Sequence, residues 1–325
     1  MNFSRELLYY RHRLSHRQIE ELTGEQQTNT AFDEKIKQLK SVSEFLEITA
    51  SLQKAGIWFV PLKGPLLSYR IYGDATCRIA KDIDILVKPE DLHKTFELLE
   101  LLNYQSGSFK WPGPGYRQNR VLLFLNQYSM YHPERSTPVE IHWRLFKNPV
   151  ISNKKLTAFI DEDVNQIEFA GQKFNQFSPE FELLHLIIHG GLHAWTRLKW
   201  LVDVKEIINR LHVDKEKFGH LIKLFRAQRM AGLCNAMLLH FFPGTTLLPV
   251  NDKVPGWFFR FSLLMASRET VVHMRPPEIY YKFIWFTMQA FPGFRYKTKR
   301  ISVFLITLLQ QLKHKSKSLN MSYYQ

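Results

Sequence analysis

The sequence predicts an α+β fold: a small mixed β-sheet with helices packed on it, followed by a mostly α-helical domain. Three observations predict it. Between residues 33 and 143 the apolar residues recur by turns at helical and at strand spacing. Strand-like stretches crowd together after residue 115, and from about residue 180 the apolar spacing is helical. A first half that alternates in this way builds a sheet with helices on it. The chain therefore divides into a basic N-terminal segment over 1–32, an α/β domain over 33–178 and a helical domain over 179–325 with a basic C-terminal tail.

The elements follow in order. Phe32, Ile36, Leu39, Val42, Phe45 and Leu46 predict a helix over 33–55, stopped by Gly56. Ile57-Trp58-Phe59-Val60 predicts a short buried strand that runs into Pro61-Leu62-Lys63-Gly64. Pro65, at home in a first helical turn, opens a short helix over 65–72. Residues 82–88 alternate as a strand, and Pro89-Glu90-Asp91 starts a helix that reaches Leu102, its acids suited to the positive end of the helix dipole. Gly107 to Gly115 is a loop. Val121–Leu125, Gln127–His132 and Pro138–Trp143 are expected as strands. Helices are expected over 180–211, 215–242, 256–270 and 300–313.

Composition bounds the class. A chain of 325 residues that is 45% hydrophobic can bury a substantial core, which excludes a disordered protein. Two cysteines, Cys77 and Cys234, exclude a disulfide scaffold and a cysteine zinc site and fit a reducing cytoplasm. No apolar signal-peptide core stands at the start. The formal net charge of +14 suits nucleotides, nucleic acid, anionic lipid or acidic polymers without choosing among them. The charge concentrates at the ends: Arg5, Arg11, Arg13 and Arg17 against Glu6, and seven basic residues without an acid from Arg295 to Lys317. Such runs are also ordinary solvated charge. Ile301–Leu309 is too short to span a bilayer, but with basic flanks it suits an amphipathic helix lying on a membrane surface or meeting a polyanion.

The chemistry concentrates in carboxylates. Asp82 and Asp84 stand two apart on an expected strand and so share a face, with Ile83 and Ile85 on the other. Two carboxylates aimed at one spot repel unless a cation lies between them, and oxygen ligands of this kind suit Mg²⁺ or Mn²⁺. Glu140, in Val139-Glu140-Ile141-His142-Trp143, supplies a third acid from a later strand. Three such acids can form a two-metal clamp that holds an attacking oxygen in line with a leaving phosphate. A lone Asp-x-Asp is more often a pair of surface acids, so its companions matter. Gly64 lets backbone approach a phosphate, and the helix after it offers free N–H groups. Lys63 then contacts a triphosphate, or else pairs with Asp82 or Asp84. Arg78 pairs with Asp82 or reaches a phosphate. His142, pointing as Glu140 does, donates to a phosphate, orients Glu140, or is simply a buried structural histidine.

Taken together, Pro61-Leu62-Lys63-Gly64, Tyr72-Gly73-Asp74, Arg78, Asp82-Ile83-Asp84-Ile85-Leu86-Val87, Pro89-Glu90-Asp91 and Glu140-Ile141-His142-Trp143 resemble the bacterial nucleotidyltransferase-like family of the DNA polymerase beta superfamily. His185, His189, His193, Trp195 and the run Arg197-Leu198-Lys199-Trp200-Leu201-Val202-Asp203 are similar to that family's helical half. The resemblance covers roughly residues 35–215. It implies metal ligation by Asp82, Asp84 and Glu140, two Mg²⁺ ions, a nucleoside triphosphate as donor and transfer of a nucleoside monophosphate to an acceptor hydroxyl that Glu140 helps activate. It also implies nucleotide-binding roles for Arg197 and Asp203. One departure stands out: superfamily members carry Gly-Ser or Gly-Gly in the phosphate loop, and this chain has Gly64-Pro65, leaving Lys63 and Arg78 to take the serine's part.

The segment after residue 180 carries further candidates. His185, His189 and His193 recur every fourth residue, on one face of a helix. The zinc-hydrolase pattern needs Glu after the first histidine of such a pair, and Gly190 stands there. Gly190-Gly191 inside a helix costs roughly 1 kcal/mol per glycine against Ala, which predicts either a close approach to the backbone or a break. A ring among Trp195 and Trp200 can stack a base with Arg197 or Lys199 on phosphates, or the tryptophan can be core. Three functions remain open on the sequence: a nucleotidyl or phosphoryl transferase acting on a small molecule, sugar or peptide; a non-catalytic nucleotide or polyanion-binding module; and a tRNA- or RNA-modifying or toxin-type transferase, which the net charge permits.

Overall fold

A computed structural model describes residues 3–24, 30–106, 111–113, 115–135, 137–146, 151–250, 254–269, 277–294, 296–298 and 301–302. After a single π-helical turn at Leu7–Arg11 come α1 (His16–Thr23), α2 (Thr30–Lys54), β1 (Phe59–Leu62), α3 (Gly64–Tyr72), β2 (Ile83–Val87), α4 (Leu92–Leu101), β3 (Gln105–Ser106), α5 (Tyr116–Phe124), β4 (Gln127–Tyr131) and β5 (Val139–His142). They are followed by α6 (Asn153–Asp163), the hairpin β6 (Asn165–Phe169) and β7 (Gln172–Gln176), then α7 (Pro179–Leu192), α8 (Leu198–Arg210), α9 (Lys215–Leu224), α10 (Gln228–Phe241), α11 (Gly256–Ala266) and α12 (Pro277–Gln289). This is the mixed α+β architecture expected. Among the described residues no helix is long and apolar enough to cross a membrane. The basic tail and most of the helix expected over 300–313 lie outside the described residues.

The five-stranded sheet runs β1-β2-β5-β4-β3. Only the β2–β5 pairing is parallel; its neighbours are antiparallel. The two faces of β2 go to different cores. Ile83, Ile85 and Val87 pack with Phe45, Ile48 and Leu52 of α2 and Phe96 and Leu99 of α4. Leu86, with Val60 and Leu62 of β1, joins the larger core that α7, α8 and α10 build. Asp84 shares the face of Leu86, since it lies two residues before it. The sheet therefore turns the buried Asp84 toward the core of the helical half.

Several expectations need correction. Val121–Leu125 is not a strand: Val121 to Phe124 form the last turn of α5 and Leu125 caps it, with Val121 and Leu122 resting on the sheet core. An apolar run that short carries no period to separate strand from helix. Residues 180–211 are two helices, because the chain turns at His193–Arg197 with Ala194 and Trp195 at positive φ. In α2 the expected apolar residues Phe32, Ile36 and Leu39 are exposed, while Glu34, Gln38 and Ser41 are buried. The inward polar stripe serves the neighbours: Glu34 accepts from the His16 N–H at 3.2 Å and Gln38 from the Ala80 N–H at 3.0 Å. Buried N–H groups need such acceptors.

The N-terminal segment is folded onto the body. Leu8, Leu14 and Ile19 are in the main core. α1 opens with a capping box between Ser15 and Gln18. Arg11 is buried and donates to three carbonyls, those of Arg268, Thr196 and Met265. His12 Nδ1 accepts from the Leu198 N–H at 3.2 Å, so the ring is neutral there. Burial, helped by Arg11, pushes the His12 imidazole down to about 3. The folded state thus refuses a proton that the unfolded chain accepts below its ordinary 6.5. Between those values the unfolded state holds more protons, so stability falls as the pH falls. Denaturant melts from about pH 6.5 down to about pH 5 are expected to show His12 contributing up to about 1.4 kcal/mol per pH unit. His12→Asn, which keeps an acceptor for Leu198, is expected to flatten that part of the slope.

The glycine pair in α7 is explained by packing. A Cβ at Gly190 would overlap the ring of Trp195, and one at Gly191 would overlap Met230 Sδ. The helix stays whole through both glycines and ends only at Leu192. Trp195 is fully buried, so it is core and offers no surface to a base. Gly190→Ala gains about 1 kcal/mol of helix propensity. The overlap outweighs it, and a net loss of about 1–3 kcal/mol is expected in a denaturant melt.

Candidate active site

The site begins with strand register. Asp84 on β2 lies beside Glu140 on β5, and Leu62 on β1 lies on the other side of Asp84. His142, two residues past Glu140, faces the same way. One ligand atom from each of Asp84, Glu140 and His142 falls within 4.8 Å of the others. His142 Nε2 is 2.9 Å from Asp84 Oδ1 and 3.8 Å from Glu140 Oε2. Glu140 also accepts from Ser129 Oγ at 3.3 Å and from the Gln127 side chain. Asp82 precedes β2 and lines the same cavity, but it is not part of the close trio. The residues drawn together are therefore Asp84, Glu140 and His142, with Asp82 at their edge.

Burial and charge set the state of the two acids. Burial alone would raise the Asp84 carboxyl, but Lys63 and the hydrogen bond from His142 outweigh it and hold the group below the ordinary carboxylate range. Burial and the adjacent Asp84 charge push Glu140 up to about 7. Two carboxylates at this spacing do not both ionise freely without a cation.

Lys63 and Gly64 lie where β1 passes into α3, and both have positive φ, 57° and 58°. A lysine in that region is strained, and such strain gathers at ligand sites. The conformation brings Lys63 Nζ to 3.3 Å from a ring nitrogen of His189. His185 and His189 follow one another along α7, and the rings of His189 and His193 each lie 5.2 Å from Trp200. His193 is the cap residue after α7 and is exposed, so the histidine face covers two members of the helix and its end. Burial first, then Lys63, pushes both His185 and His189 well below the ordinary imidazole value. They stand neutral against the sheet.

Arg78 and Asp203 were candidates for nucleotide contacts. Arg78 Nε and Nη2 donate to the two carboxylate oxygens of Asp203 at 2.8 and 2.9 Å. Arg78 is 2% exposed and Asp203 0%, so the pair is wholly inside. It fastens the segment before β2 to α8. Lys199 is buried too: its Nζ donates to the Ile79 carbonyl at 2.7 Å, and burial pushes it down to about 7. Arg197 faces the cavity beside Trp200, 5.7 Å from its ring centre.

These groups line one cavity of about 410 Å³, within the range of small-molecule sites. Its lining combines the acids Asp82, Asp84 and Glu140, and His142, with the cations Lys63, Arg197 and Lys199. Sequence reasoning missed Arg11 and Arg13, which also line it. Their basic cluster was visible in the sequence, but nothing local showed that the segment folds back to the cavity.

Asp84 and Glu140, on neighbouring strands of a mixed sheet, thus share one cavity with Lys63, Arg197 and Lys199. The sequence matches a family described as uncharacterised nucleotidyltransferase over residues 8–243, and the chain belongs to that family; it is a nucleotidyltransferase. No curated protein matches the sequence. Among solved structures it is similar to the lincosamide antibiotic adenylyltransferase LnuA bound to lincomycin, at 15% identity and a TM-score of 0.36, covering 51% of this chain and 95% of that one. The antibiotic-resistance factor ANT(2'')-Ia in solution is similar at 12% identity and a TM-score of 0.40, covering 58% and 93%. An antigenic nucleotidyltransferase-like protein from Paracoccidioides brasiliensis is similar at 16% identity and a TM-score of 0.34, covering 61% and 86%.

Proposed function

We propose that the chain transfers a nucleoside monophosphate from a nucleoside triphosphate to an acceptor hydroxyl, with Mg²⁺ or Mn²⁺ held by Asp84 and Glu140, joined by Asp82 and His142. The observation that carries this reading is the paired register of Asp84 and Glu140 with His142 beside them, ligand atoms within 4.8 Å. The donor set fits a divalent cation: a buried and a half-buried carboxylate side by side, the second driven up by desolvation and by the charge of the first, are relieved by positive charge between them. When bound, such a cation neutralises developing charge on the phosphates and orients the reacting oxygens.

The chain's own groups do the rest. Lys63 supplies a charge on the side of Asp84 away from Glu140, where the strained turn at Lys63-Gly64 opens α3 and its free N–H groups. His142 keeps Asp84 oriented. The buried Arg78–Asp203 pair holds the loop that carries Asp82, a positioning part in place of a phosphate contact. In the reaction the acceptor oxygen forms a bond to the α-phosphorus, the bond to pyrophosphate breaks with pyrophosphate leaving, and the hydroxyl proton passes to the Glu140 carboxylate, which lines the cavity. The reading places this chemistry in the cytoplasm, in keeping with two buried free thiols.

The test begins with nucleotide alone. Calorimetric titration of ATP into the full chain is expected to show binding that depends on Mg²⁺ or Mn²⁺ and is lost in Asp84→Asn. Equal binding with and without metal, unchanged in the variant, would overturn the assignment.

A further inference from the structure

The cations of the cavity fall into two groups. Lys63 stands beside Asp84 and His189. Arg13 and Arg197 stand with Asp82: both feel its charge, and Arg197 also feels Arg13 and Arg11. Arg13 and Arg197 line the cavity, and among the described residues neither makes an ion pair within 4.0 Å. Their place is enforced by the fold. Arg13 has φ 58°, strained for a residue with a Cβ, and is gripped from both sides: Arg11 by three carbonyls, including that of Thr196, and Leu14 by the core. His12 binds the Leu198 N–H, which ties the same turn to the residues that flank Arg197. The N-terminal segment and the α7–α8 connection are thus joined at several points, and the joint brings two half-buried guanidinium groups of like charge to one cavity. Burial and that crowding push Arg197 down to about 10. Two pre-set forks near Asp82 that close no ion pair with it are complementary to a phosphate, which accepts hydrogen bonds from guanidinium in pairs.

We propose that Arg13 and Arg197 form a second anion seat, distinct from Lys63, that receives a phosphate group: that of an anionic acceptor, or the outer phosphates of the nucleotide. The acceptor form rests on the transferase reading above; the seat itself does not. It gives the N-terminal segment a direct part in substrate choice, and it disfavours a polycationic acceptor, which would meet two arginines on entering.

Orthophosphate is the probe, titrated into the full-length chain by calorimetry without metal or nucleotide. Wild type is expected to bind it, and Arg13→Gln and Arg197→Gln each to lose about tenfold or more in affinity. Lys223→Gln, at an exposed residue that does not line the cavity, is expected to bind as wild type does. Arg13→Lys, which keeps the charge, is expected to recover part of the affinity, and melting curves separate it from misfolding. Orthophosphate that binds together with Mg-ATP, with ATP affinity unchanged in the Gln variants, assigns the seat to an acceptor. Competition with ATP, and equal losses for both ligands, assigns it to the triphosphate. No orthophosphate binding by wild type, or equal binding by wild type and both Gln variants, overturns the proposal. Because the orthophosphate titration that decides the proposal contains no metal or nucleotide, a failure there leaves the metal-dependent test of Asp84 standing, and the reverse also holds.

Discussion

Asp84→Asn is expected to lower nucleotidyl transfer by about 10³-fold or more while leaving the fold intact. The substitution is nearly isosteric. Its side-chain oxygen can still accept from His142, so the hydrogen bond seen at 2.9 Å survives. What disappears is one negative charge at the centre of the site, between Lys63 and Glu140. Transfer at phosphorus depends on placed charge more than on covalent help from the protein, so the loss falls on the rate as well as on metal-dependent nucleotide binding. The measurement is incorporation of label from an α-phosphate-labelled triphosphate into a new product, with melting curves for both proteins. A variant that transfers label as fast as wild type would remove Asp84 from the mechanism. A variant that is inactive because it is unfolded would be visible in the melt.

The centre of this site was legible in the sequence because it is made by local rules. Alternation places Asp84 opposite Ile83 and Ile85, and Glu140 and His142 opposite Val139 and Ile141, and the sheet then needs only its register to bring the two rows together. Gly64 marked the passage from strand to helix, but nothing local showed the positive φ of Lys63. What was not legible depends on distant partners. Arg78 meets an acid 125 positions later, and no spacing near residue 78 distinguishes that partner from Asp82. The inward polar stripe of α2 exists because His16 and Ala80 need acceptors, a demand set by elements elsewhere. The same holds for Arg13, whose charge is plain in the sequence but whose address is fixed by Arg11 and His12 reaching residues 185 positions or more away. The hairpin at 165–176 went unread because its turn, Ala170-Gly171, needs positive φ at both residues, and alanine does not advertise it.

Asp203→Ala is expected to cost about 3–5 kcal/mol of folding stability, the largest effect of any single change outside the acid cluster. Arg78 and Asp203 are both out of reach of water, and the two hydrogen bonds of 2.8 and 2.9 Å run parallel from one fork. Removing the acid strands a charged guanidinium in the interior. Burial then acts on Arg78 without the opposing charge that now keeps it firmly protonated. Arg78→Met with Asp203→Leu is expected to lose much less than Asp203→Ala alone, because neither charge is left behind. Activity should fall in step, since Arg78 lies four residues before Asp82 and the next carbonyl, that of Ile79, is held by Lys199. The cycle also tests the positioning role of Arg78 against the phosphate contact it replaces. A phosphate contact would make Arg78→Met weaken nucleotide binding with little change in stability, and would leave Asp203→Ala nearly silent. A positioning role makes the two single variants lose stability strongly and non-additively, with nucleotide affinity following the fold.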